Sequence, residues 1–231
     1  RSDKDYIYER VNYYNKLQHP VILPEQVLHE HKHSYYVYLD KIRNFRPSTF
    51  HKAYYFDLKD VTCWFNQNLR ISYIPGDVYF TPQYPSIVKS RLLKEDNAYS
   101  VVLKLDKLRH FIFLNDPVPF SKKRDQAIFR GKIHMYFGSS LCDCGVVGRN
   151  EGYPDAWMTP KKTIREHLDY KFIMALEGND VASNLKWVMS SNSIAVMTRP
   201  TCETWFMEGK LIPDYHYIEI KDDLSNLEEK L

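Results

Sequence analysis

The chain is short of cysteine, of unbroken apolar stretches and of net charge, and each shortage removes a class of protein. Its 231 residues hold four cysteines, Cys63, Cys142, Cys144 and Cys202. So few in a chain this long do not make a disulfide framework, and reduced, buried thiols are the expectation. Cys142 and Cys144 form a C-x-C pair, but no second pair stands at zinc spacing, so the pair is read as structural. No apolar run approaches the roughly 20 residues that span a bilayer. The charged opening RSDKDYIYER has no signal-peptide core. A cytoplasmic protein is the expectation from these absences. The 32 basic and 29 acidic side chains leave a net charge of only +3. A field that weak does not advertise nucleic acid, even beside the basic run Lys122-Lys123-Arg124.

Two motifs are also missing, and a third is out of place. There is no Walker loop and no three-glycine dinucleotide fingerprint. The only D-x-D spelling, Asp3-Lys4-Asp5, stands at the extreme terminus rather than after a strand, which argues against a metal-dependent transferase site. His29, His31 and His33 alternate in HEHKH and can share one strand face. With no second ligand set they are read as a solvated stretch, and no metal is expected.

What is present is a 44% hydrophobic composition, enough for one large domain or two small ones. DYIYERVNYYNKLQ (5–18) predicts a helix ended by Pro20 and Pro24. Aromatic and β-branched runs predict strands over 34–39, 52–58, 70–74, 100–105 and 110–114. NDPVPFSKKRDQ (115–126) reads as a linker, dividing the chain into residues 1–118 and 119–231. Beyond it, AIFRGK (127–132), KFIMAL (171–176), SIAVM (193–197) and YHYIEI (215–220) are strands. They alternate with helices at 162–170, from Ser183 to about Met189, and over TCETWFMEG (201–209). A last helix is expected from a capping box at Ser225 and Glu228. LSNLEEKL looks like a helix cut short, so an incomplete C-terminal part is expected. Strand–helix alternation predicts an α/β fold with a parallel sheet.

In such a sheet, ligands sit beyond the carboxyl ends of the strands. The break Glu177-Gly178-Asn179-Asp180 after KFIMAL falls at that edge. Free N–H groups at the helix start near Ser183 favour an anion. Gly178 permits close backbone approach, and Lys186 can reach the same anion. FRGK places Arg130, Gly131 and Lys132 at a second strand end, and a guanidinium there can grip a diphosphate. An ordinary capped βα loop and a surface Arg ion pair are the plainer readings of the two segments.

FRGK, YKFIMALEGNDVASNLKW, SSNSIAVM and ETWFMEGKLIPDYHYIEIKDDLSNLEE, in that order, resemble glycosyltransferase family 90, closest to its bacterial lipopolysaccharide-type members. Protein O-glucosyl- and O-xylosyltransferases and fungal capsule enzymes are relatives. The resemblance is dense from about Ala127 onward and thinner over ISYIPGDVYFTPQYPSIVKSR (70–91). It implies a GT-B-like enzyme of two Rossmann-like lobes with a cleft between them, an acceptor-side lobe first and a UDP-sugar lobe second. It implies an inverting, metal-independent transfer of a hexose or xylose from a UDP-sugar to a lipopolysaccharide core or other surface glycan. The catalytic Asp falls on Asp77 in IPGDVYF. The diphosphate-gripping Arg-Gly falls on Arg130 and Gly131, with Lys132 beside them, and a nucleoside-holding Glu falls on Glu203. The family's His-Tyr matches His216 and Tyr217. Gly178, Asn179, Asp180, Ser183, Asn184 and Lys186 complete the expected donor site. Many relatives carry Arg where this chain has Asn184, a departure that motivates the alternative of a non-catalytic nucleotide- or glycan-binding relative.

Inverting transfer needs a base for the acceptor hydroxyl and positive charge for the leaving UDP. Asp77 can be the base, although an Asp after Pro-Gly is also an ordinary turn residue. Tyr79, Tyr84 and Trp157 are candidates to stack on sugar faces. A lipid-linked acceptor would bring the enzyme to the inner membrane face as a peripheral protein.

Overall fold

The computed structural model describes residues 2–19, 21, 38–49, 51–132, 136–148 and 152–231. The histidines of HEHKH and most of the expected strand at 34–39 lie outside the described residues. The chain forms two compact units. The first holds Arg1–Arg109, Asn179–Val181 and Pro200–Gly209; the second holds His110–Gly178, Ala182–Arg199 and Lys210–Leu231.

In chain order the main elements are α1 (Asp3–Tyr14), β1 (Tyr38–Lys41), α2 (Lys52–Thr62), β2 (Arg70–Ile74), β3 (Ser86–Val88), β4 (Ser90–Leu92), β5 (Ser100–Val102) and α3 (Lys107–His110). They continue as β6 (Arg124–Gly131), β7 (Cys142–Val146), α4 (Ile164–His167), β8 (Tyr170–Met174), α5 (Leu185–Met189), β9 (Ile194–Met197), β10 (Cys202–Thr204), β11 (Ile218–Glu219) and α6 (Leu227–Lys230).

The first unit contains a four-stranded sheet in the order β1-β2-β3-β5. β1 is antiparallel to β2, and the other pairings are parallel. A separate antiparallel ribbon joins β10 to β4, with Cys202 opposite Leu92, Glu203 opposite Arg91 and Thr204 opposite Ser90. Two small cores serve this unit: Tyr14, Ile74, Val78, Val88 and Val102 in one, Tyr54, Leu58, Tyr73 and Leu105 in the other.

The second unit is built on a five-stranded, wholly parallel sheet in the order β11-β9-β8-β6-β7. Numbered from β6, that is the doubly wound order 2-1-3-4-5 read from the far edge, with its switch point between β6 and β8. Strands buried on both faces need continuous apolar runs, and Ile128, Ile173, Met174, Ala195 and Val196 are at most 1% exposed. The expected α/β, Rossmann-like parallel sheet is therefore present in this unit.

Several expectations are corrected. KAYYFDL is helix, not strand: Tyr54, Leu58 and Thr62 are the buried positions, four residues apart along one helical face. HFIFL adds no strand; Ile112 and Leu114 pack on the second unit's core without a sheet ladder. NDPVPFSKKRDQ is not a linker. Its Asp116 and Lys123 form a buried ion pair of 2.7 Å, and Asn192 donates to the carbonyls of Asp116 and Val118. The units accordingly part after Arg109, not after residue 118. TCETWFMEG is not one helix but the strand β10, a turn and the start of a short 3-10 helix, Glu208–Lys210. The N-cap of α5 is Asn184 rather than Ser183, and that of α6 is Asn226 rather than Ser225, with no side-chain cap bond at either. A capping box does form at Thr163 and Glu166 before α4.

Candidate active site

Asp77 follows β2 across the turn Pro75-Gly76. Gly76 adopts φ +98°, a left-handed backbone that costs a side-chain-bearing residue about 1–2 kcal/mol. The turn leaves the Asp77 side chain 29% exposed. Behind it lies Lys89, fully buried, with its ammonium 2.8 Å from Asp77 Oδ1 and 2.7 Å from Asp180 Oδ2. Ser90 Oγ donates to Asp180 over 2.6 Å, and the Asn179 side chain bonds to Asp77. Burial opposes ionisation of Asp77, but Lys89, the charge of Arg109 and Asn179 together outweigh it and hold the carboxyl below its usual range. Asp77 is thus an anion at neutral pH.

A cavity of about 360 Å³ opens in front of Asp77 within the same unit, lined by His51, Ala53, Tyr54, Gly76, Asp77, Asp106 and Arg109. Burial pushes the Asp106 carboxyl up, against the pull of Lys89, Arg109 and a hydrogen bond from Tyr54. Burial also lowers His51, although Asp106 attracts its charged form. The imidazole is therefore neutral at neutral pH. Tyr79 is exposed and Tyr84 half-buried, and neither lines this cavity.

Glu203 is elsewhere in the first unit, on β10 rather than on a helix. Both its oxygens are engaged: Arg91 Nε and Nη2 each approach Oε1 at 2.8 Å, and Tyr13 donates to Oε2 over 2.5 Å. With both partners 1% exposed, this is a buried ion pair joining β10 to β4. Its geometry is that of an anchor, so the nucleoside-holding role expected of Glu203 has no geometric support.

In the second unit, Arg130 and Gly131 end β6, and exposed Lys132 follows at once. Arg130 is nearly buried, and its fork is turned onto Asp143: Nη2 to Oδ1 and Nη1 to the carbonyl, each 2.6 Å. Tyr170 donates to the other Asp143 oxygen. Asp143 lies between two cysteines of β7 that are buried free thiols in the core. At Gly131 a Cβ would stand 2.5 Å from the tip of the Phe129 ring, so any larger residue there must displace that ring. At Gly178, past the end of β8, a Cβ would meet open space. Asn184 donates its amide to the Met174 carbonyl over 2.9 Å and so ties the start of α5 to the end of β8. Lys186 is fully buried, its ammonium 5.9 Å above the Phe111 ring. Ser183 is half-buried beside it. These residues gather at the carboxyl ends of β6 and β8, the switch point of the sheet. Trp157 packs near Tyr153 in this unit, His216 accepts from the Ile212 amide, and Tyr217 donates to Glu219.

Lys89, Asp106, His51 and Arg109 are the residues that sequence reasoning missed. One signal was available: a lysine between Val88 and Ser90 in an apolar run is either on a surface or paired inside. Among the described residues no cluster of three or more His, Cys, Asp or Glu is placed to hold a metal ion. Nor, among them, is any helix long and apolar enough to cross a membrane.

No family model matches the chain. It is 37% identical, over 235 aligned residues, to the O-glucosyltransferase LpsA of Dichelobacter nodosus, and the alignment takes in 97% of this chain and 69% of that protein. Identity of that level over nearly the whole chain covers both the Asp77 cavity and the switch-point loops. The chain therefore belongs to the LpsA family of glycosyltransferases.

Proposed function

We propose that this protein is an inverting, metal-independent glucosyltransferase of glycosyltransferase family 90. It would take the hexose from a UDP-sugar and place it on a hydroxyl of a lipopolysaccharide core or related surface glycan. The observation that carries the reading is the relation to an O-glucosyltransferase across the segment that builds the Asp77 cavity. Membership of the GT-B class is supported by the doubly wound parallel sheet of the second unit.

In this reading Asp77 is the base. It is ionised, partly exposed and fixed by Lys89 and Asn179. The acceptor hydroxyl proton passes to Asp77 as the acceptor oxygen bonds to the anomeric carbon. The bond from that carbon to the phosphate oxygen breaks, and UDP leaves with the electron pair. Donor recognition falls to the switch-point residues: Arg130, Gly131 and Lys132 at β6, and Gly178, Ser183, Asn184 and Lys186 after β8. Asn179 and Asp180 fold with the first unit, where Asn179 bonds Asp77 and Asp180 holds the Lys89 that pairs with it. Asp143 neutralises much of Arg130, so diphosphate binding draws on Lys132 and backbone N–H groups as well. A lipid-linked acceptor would bring the protein to a membrane surface as a peripheral enzyme.

Purified protein with a panel of UDP-sugars tests the reading. UDP release should be fastest with UDP-glucose and should rise with acceptor. Asp77→Asn should lower kcat by about 10²- to 10⁴-fold, the range for a positioned general base, with UDP binding by calorimetry unchanged. UDP binding without turnover on any donor would favour a non-catalytic relative, and full activity in Asp77→Asn would refute the base.

A further inference from the structure

The cavity in front of Asp77 has more apparatus than a lone base requires. Seven residues line it, and apart from Ala53 and Gly76 all are polar or aromatic. With no aliphatic wall, it is not a seat for an acyl chain. At about 360 Å³ it lies at the low end of the range for ligand pockets, roughly 300–1,000 Å³. That suits one ring-sized polar group rather than a whole nucleotide sugar.

Asp106 is the second carboxylate on its wall, and its backbone is unusual. Its φ of +54° places a non-glycine residue in the left-handed region, which structures tolerate mainly where the surroundings impose it. The turn is imposed from both sides. The Arg109 N–H donates to the Asp106 carbonyl over 3.2 Å, and the Lys107 N–H donates to Asp57 Oδ2 over 2.9 Å. Tyr54, buried on α2, donates to the carboxyl. The charge of Arg109 acts on Asp77 and Asp106 alike and lets two carboxylates share one wall. Carboxylates accept from hydroxyls, guanidinium donates to them, and aromatic rings face the C–H edges of a sugar.

We propose that this cavity seats a single sugar ring of the acceptor, and that Asp106 receives the hydroxyl adjacent to the one that attacks. Asp77 then meets only one of the ring's hydroxyls, so Asp106 sets which position is glucosylated. Asp106 accepts a hydrogen bond and takes no proton; the proton goes to Asp77. The inference rests on the transferase reading above.

The test uses the whole chain with UDP present. Binding of methyl glycosides of hexoses and heptoses is followed by saturation-transfer NMR, each with its monodeoxy analogues. Wild type should bind at least one parent glycoside and lose about 10- to 100-fold in affinity when a single ring hydroxyl is removed, the loss expected for a hydrogen bond to a charged group. Asp106→Asn keeps the side-chain shape and tolerates the left-handed backbone. It should bind the parent as weakly as wild type binds that deoxy analogue, lose little more with the analogue, and keep its UDP affinity. If Asp106→Asn does not fold, Tyr54→Phe, which removes only the hydroxyl that fixes Asp106, should show the same selective weakening. Failure of every glycoside to bind wild type, or unchanged selectivity in the variant, overturns the proposal. Loss of the base reading has a separate signature, since it would appear as full turnover in Asp77→Asn whatever the acceptor binding.

Discussion

Lys89 has no contact with water, and two carboxylates share its charge. Removing one member of a buried ion pair costs about 3–5 kcal/mol, because the other is left charged and dry. Lys89→Met should therefore destabilise by about that amount through Asp180, which is 5% exposed. It should also raise the Asp77 pKa toward and past its ordinary value, since burial then acts unopposed by its nearest cation. Denaturant unfolding checks the first effect. A pH–rate profile whose acidic limb moves to higher pH checks the second. A surface lysine would give neither. Asp77 was singled out by the family resemblance alone, since an Asp after Pro-Gly reads by itself as an ordinary turn residue. Lys89 was not, because sequence alone does not tell a buried cation from an exposed one until its partners, 12 and 91 residues away, are in place.

Four of the five strands of the parallel sheet were legible, while β7 lies in a stretch, 138–162, whose Gly, Pro and Asp read as loop. KFIMAL and SIAVM are short apolar runs, and only a strand covered on both faces needs that pattern. Helix α2 was misread because its tyrosines and phenylalanine favour strands locally, while the four-residue spacing of Tyr54, Leu58 and Thr62 carried the true period. The segment 201–209 was misread because Glu203 and Arg91 face each other across a two-stranded ribbon that no local pattern announces. Within the sheet, β7 is held by a close approach that only glycine permits. A Cβ on Gly145 would stand 2.0 Å from Thr159 Oγ1 and 2.6 Å from its Cγ2. Gly145 pairs with Arg130 in the ladder, so a displacement there is felt at the switch point. Gly145→Ala should cost about 1–3 kcal/mol by overpacking, visible as a fall of several degrees in Tm. The double change with Thr159→Ala removes the two nearest atoms but leaves Cβ at 2.8 Å, and should recover only part of it.

The whole molecule carries its acid sensitivity in carboxylates and imidazoles that folding shifts from their ordinary range. For Asp77, Asp116 and Asp143 burial opposes ionisation but is outweighed. The counterweights are Lys89 at Asp77, Lys123 and two backbone N–H groups at Asp116, and Tyr170 and Arg130 at Asp143, so all three sit below the usual range when folded. A depressed carboxyl adds stability above its unfolded pKa, about 3.9, and loses it as the pH falls through the folded value. Asp106, pushed up by burial, acts in the opposite sense: its contribution is present below the unfolded value and fades as the pH rises through the folded one. His51 and His167, held below the ordinary imidazole value by burial, begin to cost stability as the pH falls through about 6.5, and the three depressed carboxylates against one steepen the fall from about pH 4 downward, as urea titrations at stepped pH would show.

Neither unit is a single stretch of chain: residues 179–181 and 200–209 leave the second half to complete the first. A fragment ending at Arg109 would keep Lys89 and Arg91 yet lack Asp180 and Glu203, so Lys89 would lose one of its two carboxylates and Arg91 the carboxylate it pairs with in a dry interior. The two halves are thus tied by covalent interleaving into one folding commitment, and a gene cut at the apparent boundary would encode no self-sufficient piece.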